Sequence, residues 1–125
     1  MKNVPKKNIK QMKNKKAQLR SKCDMAWYNK CLLRYCEVCE KPAQQVHHFF
    51  PKGQFGHLRY NTDNGISLCN GCHFAHHSKG DPRIHQTIIK NRGIEWYNEL
   101  LNESRKNPAS YQTIGYYKDK LKELE

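Results

Sequence analysis

Apolar positions are spread unevenly along the chain, and their spacing changes character several times. Residues 1–16 show no hydrophobic periodicity and read as a flexible basic arm. From Ala17 the pattern changes. Leu19, Cys23, Ala26 and Trp27, with Lys30 and Arg34, fall on one side of a helix predicted over 17–35, with Cys31 beside them. "CEVCEKPAQQ" then begins a turn-like segment, and "QQVHHFF" has the composition of a strand that Pro51 stops. "PKGQFGHLRYNTDNG" is a loop rich in Gly and Asn, "ISLC" returns as a short second strand, and "NGCHFAHHSKG" opens a helix. Asp81-Pro82 supplies an N-cap and a proline at the first helical position, for a helix that runs to about Asn91 and that Gly93 ends. "IEWYNELLNESRK" gives another helix, stopped by Asn107-Pro108. Tyr111, Ile114, Tyr117, Leu121 and Leu124 line one face of a last helix. Trp27, Trp96 and most tyrosines read as core. No internal repeat is visible, and the mixture of two short strands with several helices predicts an α+β fold.

Composition sharpens this in two ways. The chain has 125 residues of which 37% are hydrophobic, which implies one small domain with a thin core, of the kind that a disulfide or a metal often staples. No run of about eighteen apolar residues exists, and the basic N-terminal stretch has no apolar h-region of a secretory signal. A cytoplasmic protein without a membrane partner is therefore expected, in which paired cysteines serve as thiolate metal ligands rather than disulfides. The charge is also uneven. Residues 1–22 hold nine Lys and Arg and no acid, so most of the +12 formal charge sits there. Such a block binds a polyanion or merely solubilises. No aromatic or Leu face accompanies it, which favours nucleic acid over a membrane surface. Lys6, Lys7, Lys10, Lys13, Lys15 and Lys16 are the candidate phosphate contacts in the arm, and Lys52 and Arg59 are candidates in the central loop.

The chemistry is concentrated in residues 36–77. Cys36-x-x-Cys39 and Cys69-x-x-Cys72 are two knuckles with 29 residues between them. Each knuckle can direct two thiolates at one ion, and together they predict the closed tetrahedral site of a structural Zn²⁺. Such a site leaves no open coordination position for chemistry. Cys23 and Cys31 remain over, as buried thiols on the first helix.

Six of the seven histidines lie between residues 46 and 77 and need a separate account. His73 and His77 are four apart on the predicted helix, share a face and can grip one ion; His76 competes with His77 from the i, i+3 position. His47 and His48 end the first strand. Neighbours in a strand point to opposite faces, so the chain is expected to bend there if both are to reach one site.

The pattern C-x-x-C … VHH … N … LC-x-x-CH-x-x-x-H resembles the HNH endonucleases, or ββα-metal nucleases, and particularly their zinc-stapled members. The resemblance covers residues 36–77, with Asn64 five positions before Cys69. A wider resemblance, carried by "LRYNTDN", the preceding helix with Trp27 and the helical tail, is to phage-encoded recombination nucleases of the NinG/Rap type. The resemblance implies a zinc-stapled ββα-metal core with flanking helices. It also implies His48 as general base, His47, His73 and His77 as ligands of a catalytic ion, and Asn64 as the central residue that holds the loop and helps orient His48. A His base suits this role because its pKa lies near neutrality, and imidazole ligands accept Mg²⁺, Mn²⁺ or another transition metal. DNA is the implied substrate, with 3′-hydroxyl and 5′-phosphate products and no small-molecule cofactor. The competing reading is a non-catalytic zinc-ribbon DNA-binding or recombination accessory protein. It would share the cysteines and the arm but have no use for His47, His48 and His73 together.

Overall fold

The computed structural model describes residues 6–106 and 111–125. Among these residues five α-helices surround a two-stranded antiparallel sheet: α1 (Lys6–Cys31), β1 (Gln45–His48), β2 (Gly65–Leu68), α2 (Asn70–Lys79), α3 (Arg83–Arg92), α4 (Ile94–Arg105) and α5 (Ile114–Leu124). The fold is α+β, with the cysteine knuckles beside the sheet.

The first helix differs from the sequence expectation at both ends. It starts at Lys6 rather than Ala17, so residues 6–16 are helical and not an irregular arm; residues 1–5 of that arm lie outside the described residues. No Gly or Pro interrupts 6–31, and the Lys, Gln, Met and Ala residues there are good helix formers, so the helix continues without an apolar face. No side chain described before Leu19 is buried. The helix stops at Cys31 rather than Tyr35 because the Leu32 amide, bonded to the Tyr28 carbonyl, is the last in the helical ladder. The Leu33 amide donates to Ser67 Oγ (2.8 Å), and Tyr35 pairs with Pro42 to close the first knuckle.

Two apolar clusters lie on opposite faces of the sheet. Leu19, Cys23, Trp27 and Cys31 recur every four residues along α1 and pack with Tyr60, Tyr117 and Leu124, which docks α5 on α1. On the other face Phe49, Leu58, Ile66 and Leu68 pack with Ile84 and Ile88 of α3 and Leu100 of α4. Burial of these side chains, at roughly 1.5–3 kcal/mol each, is what holds the layers together. Strand alternation sorts the residues: Ile66 and Leu68 face α3 and α4, while Gly65 and Ser67 face α1. Gly65 is required there, because a Cβ would sit 2.7 Å from Cys31 Sγ and 2.9 Å from the Trp27 ring. An ion pair ties the first knuckle to this frame. Arg92 grips both carboxylate oxygens of Glu37 (2.7 and 2.9 Å), and Glu37 also accepts from the Ser67 amide.

Candidate active site

The α2 helix carries side chains of two different clusters that could each hold a metal ion. At its start, Cys69 is the N-cap and its sulfur accepts from the Cys72 amide (3.4 Å); in the other knuckle the Val38 amide donates to Cys36 Sγ (3.4 Å). The sulfurs of Cys36, Cys39, Cys69 and Cys72 all lie within 4.8 Å of one another, with Cys39 and Cys69 at 3.5 Å. Four thiolates around a tetrahedral ion at about 2.3 Å would be roughly 3.8 Å apart, so the cluster fits a structural zinc. Burial raises the Cys72 thiol, and the adjoining sulfurs raise it further. Burial also works against ionisation of Cys69, but the Cys72 amide and the neighbouring sulfurs outweigh it and bring this thiol to about 7. Cys23 and Cys31 stand apart, buried in the α1 cluster, where burial raises both thiols.

One turn further along α2, histidines take the place of cysteines as candidate ligands. His47, His73 and His77 bring one ring nitrogen each to within 4.8 Å of the others, and His47 Nδ1 lies 3.2 Å from His77 Nε2. His47 pairs with Ile66 in the sheet register and so points to the α2–α3 face, where it is buried. Burial, and then the surrounding histidines, hold its ring well below the usual imidazole pKa, so the ring is neutral at pH 7. His73 shifts down for the same two reasons.

His48 pairs with Gly65 and points to the opposite face. Its ring stacks on Trp27 of α1, with centroids 4.1 Å apart and planes 8° from parallel. Nε2 of His48 lies 3.0 Å from the Arg59 carbonyl. A carbonyl can only accept, so Nε2 carries the proton and Nδ1 keeps the ring's free lone pair. Burial lowers the pKa of His48, only partly offset by that hydrogen bond. The strand does not bend to bring the two histidines together, contrary to the sequence expectation. β1 stays regular through His48, and a cleft of about 680 Å³ runs along β1 and takes in rings from both faces: His47, His73, His76 and His77 with His48.

Asn64 is fully buried and makes no hydrogen bond to His48. Its amide nitrogen donates to the Phe50 and Leu58 carbonyls and its oxygen accepts from the Phe50 amide (2.7 Å), so it clamps the two ends of the loop whose Arg59 carbonyl meets His48. Its contacts are with the loop backbone and not with the His48 ring. Arg59 itself forks onto both oxygens of Asp24 (2.8 and 2.7 Å), which fixes that loop to α1. Lys52 lines the cleft of His47 and His48, and with Arg20 and Arg59 it also lines a neighbouring pocket of about 230 Å³. Lys10, Lys13 and Lys15 are exposed on α1 and Lys16 is half-buried, away from the cleft residues; Lys6 and Lys7 begin the helix.

With this geometry in hand, comparison with known families gives one match: residues 36–79 fit the family model of the HNH endonuclease. Over these residues the chain is similar to the HNH endonuclease family. The match covers about a third of the chain, from the first knuckle through both strands to the end of α2. No curated protein and no solved structure matches the chain. The HNH segment thus holds both cysteine knuckles, His47, His48, Asn64, His73 and His77, while Trp27, Asp24 and His85, which pack against it, come from outside. The sequence reading did not place these three at the site. His85 is alone on a separate helix, and Trp27 reads as core, which it also is.

Proposed function

We propose that the chain is a metal-dependent endonuclease that hydrolyses DNA phosphodiester bonds, with His48 as general base. The observation that carries this reading is the hydrogen bond between His48 and the Arg59 carbonyl, which commits Nε2 to the protein and leaves Nδ1 to take a proton in a cleft that also holds a histidine triad. His47, His73 and His77 would hold one divalent ion, Mg²⁺, Mn²⁺ or another transition metal, which when bound supplies charge neutralisation at a phosphate oxygen and at the leaving 3′-oxygen. His48 takes the proton of the attacking water at Nδ1 as the new oxygen–phosphorus bond forms and the bond to the 3′-oxygen breaks. The products carry a 3′-hydroxyl and a 5′-phosphate. Trp27 holds the His48 ring flat against α1, and Asn64 fixes the loop that sets its tautomer. Lys52 at the cleft is assigned to backbone phosphate, and Arg59 beside it contributes what its ion pair with Asp24 leaves free. Lys6, Lys7, Lys10, Lys13, Lys15 and Lys16 in the first part of α1 are assigned to phosphate further along the duplex.

The zinc in the cysteine cluster has a structural role in this reading, tying the first knuckle to the start of α2. A cytoplasmic setting follows from the use of cysteines as ligands, and a place in phage DNA recombination or processing rests on the sequence resemblance. A nuclease assay on duplex, single-stranded and four-way-junction DNA, with and without Mg²⁺ or Mn²⁺, tests the proposal. Divalent-dependent cleavage of at least one substrate is expected. Binding without cleavage under every condition would leave the zinc-ribbon accessory reading in its place.

A further inference from the structure

His47 is bordered by imidazoles on both of its ring nitrogens. Nδ1 lies 3.2 Å from Nε2 of His77, and Nε2 lies 3.3 Å from Nε2 of His85 on α3. His85 stacks between Phe49 (4.3 Å, 22°) and His76 (4.3 Å, 21°). His47, His76 and His85 again bring one donor atom each to within 4.8 Å of the others. We propose that His76, His85 and Nε2 of His47 form a second divalent transition-metal site, which competes with the His47–His73–His77 triad for His47.

Three observations support the site. Two nitrogens bound to one tetrahedral ion at about 2.0–2.1 Å lie roughly 3.3–3.4 Å apart, which is the separation found between His47 and His85. His76 Nδ1 is buried and has no hydrogen-bond partner, so this ring has a polar atom that the protein leaves unsatisfied. The donors are all neutral imidazoles, which suit Zn²⁺, Co²⁺, Ni²⁺ or Cu²⁺ better than Mg²⁺. The His76 ring must swing to turn its lone pair from the stacked position toward the ion. It is half-buried at the cleft, and the terminal ring torsion is broad, so this ring moves while His85 stays pinned by Phe49.

Competition follows from the protons. A neutral imidazole has one lone pair and one N–H. With an ion on Nδ1 of His47, Nε2 carries the proton and donates to His85. With an ion on Nε2, the proton moves to Nδ1 and faces His77, and the triad loses its buried member. The competition rests on the triad of the proposed nuclease, but occupation of the second site does not.

Metal uptake tests the site without any cleavage assay. The full chain, with zinc retained at the cysteines, is titrated with Co²⁺ and followed by visible absorption and calorimetry. The double variant His73→Ala/His77→Ala removes the two ligands that belong to the triad alone, and it should still bind one Co²⁺ equivalent. Adding His85→Ala should abolish that uptake. No uptake by the double variant, or uptake that survives His85→Ala, would overturn the site. Two histidine-bound equivalents in the wild-type chain would overturn the competition. If the alanine pair does not keep its zinc and its helical spectrum, the pair His73→Gln/His77→Gln gives the same reading. A chain that shows this uptake pattern yet cleaves no DNA would break the nuclease proposal alone.

Discussion

The two ends of α2 contribute to two different clusters of candidate metal ligands. At its N-terminus, Cys69 and Cys72 face a second knuckle, and four sulfurs enclose one point, with backbone amides donating to two of them. One turn later, His73 and His77 meet a single strand residue, His47, beside a cleft of about 680 Å³ that a further histidine enters from the other face of the sheet. A closed set of four ligands can only hold the fold, whereas three ligands beside an open cleft leave coordination positions for a substrate. The contrast also shows an economy of construction. Fixing the cysteine centre fixes the start of α2, and so sets the direction of the histidines that follow it.

The comparison can be broken at several points. The largest effect is expected at the closed centre. Cys39→Ser, Cys72→Ser or a strong chelator should unfold the domain, because structural zinc supplies on the order of 10 kcal/mol of folding free energy; circular dichroism and thermal melting read this directly. His73→Ala should behave in the opposite way. It keeps one tightly bound zinc and a cooperative melt but loses cleavage, and loss of the zinc in this variant would mean that the ligands have been divided wrongly between the centres. A third test is the acid limb of the rate. Burial lowers the His48 pKa, so the neutral base predominates at pH 7, and the single-turnover rate should fall about tenfold per unit only below a midpoint under 6.5. A midpoint above 6.5, with metal binding kept saturated, would contradict a buried base. The smallest effect concerns the basic part of α1. Deleting residues 1–16 should lower the slope of log K against log salt by about 3–5, since each phosphate neutralised on B-DNA contributes roughly 0.9, while cleavage at saturating DNA stays within a few-fold. A solubilising segment would leave the slope unchanged.

Much of this division could be read from spacing alone. Paired knuckles require four sulfurs, and the Gly93 end of α3, its start at Asp81-Pro82 (where the Asp81 side chain accepts from the Arg83 amide) and the spacing of Tyr117, Leu121 and Leu124 have local physical causes that survive in the fold. The first strand, by contrast, ends at His48 rather than running on to Pro51, because Asn64 takes the Phe49 and Phe50 amides. What depends on tertiary contact was not legible. The helix from Lys6 has no apolar stripe before Leu19, so hydrophobic periodicity cannot see it. The His48–Arg59 carbonyl bond uses a backbone atom, which the residue type does not reveal. Arg59 looks like a free basic residue in a loop until Asp24, 35 positions earlier, is found on its guanidinium. His85 joins the histidine cluster only because α3 folds back against α2 and carries it there. The opposite facing of His47 and His48 was legible, and the bend inferred from it was not needed, because β1 has a free edge among the described residues.

The most direct test of the central claim is a single-turnover nicking assay on supercoiled plasmid, run beside a DNA-binding isotherm for wild type and His48→Ala. Both proteins should bind DNA alike and melt alike. Wild type should nick in the presence of Mg²⁺ or Mn²⁺, and His48→Ala should be slower by about 10²–10⁴-fold, the range for loss of a general base. A His48→Ala protein that nicks at close to the wild-type rate would contradict the assignment of the base and, with it, the reading of the open centre.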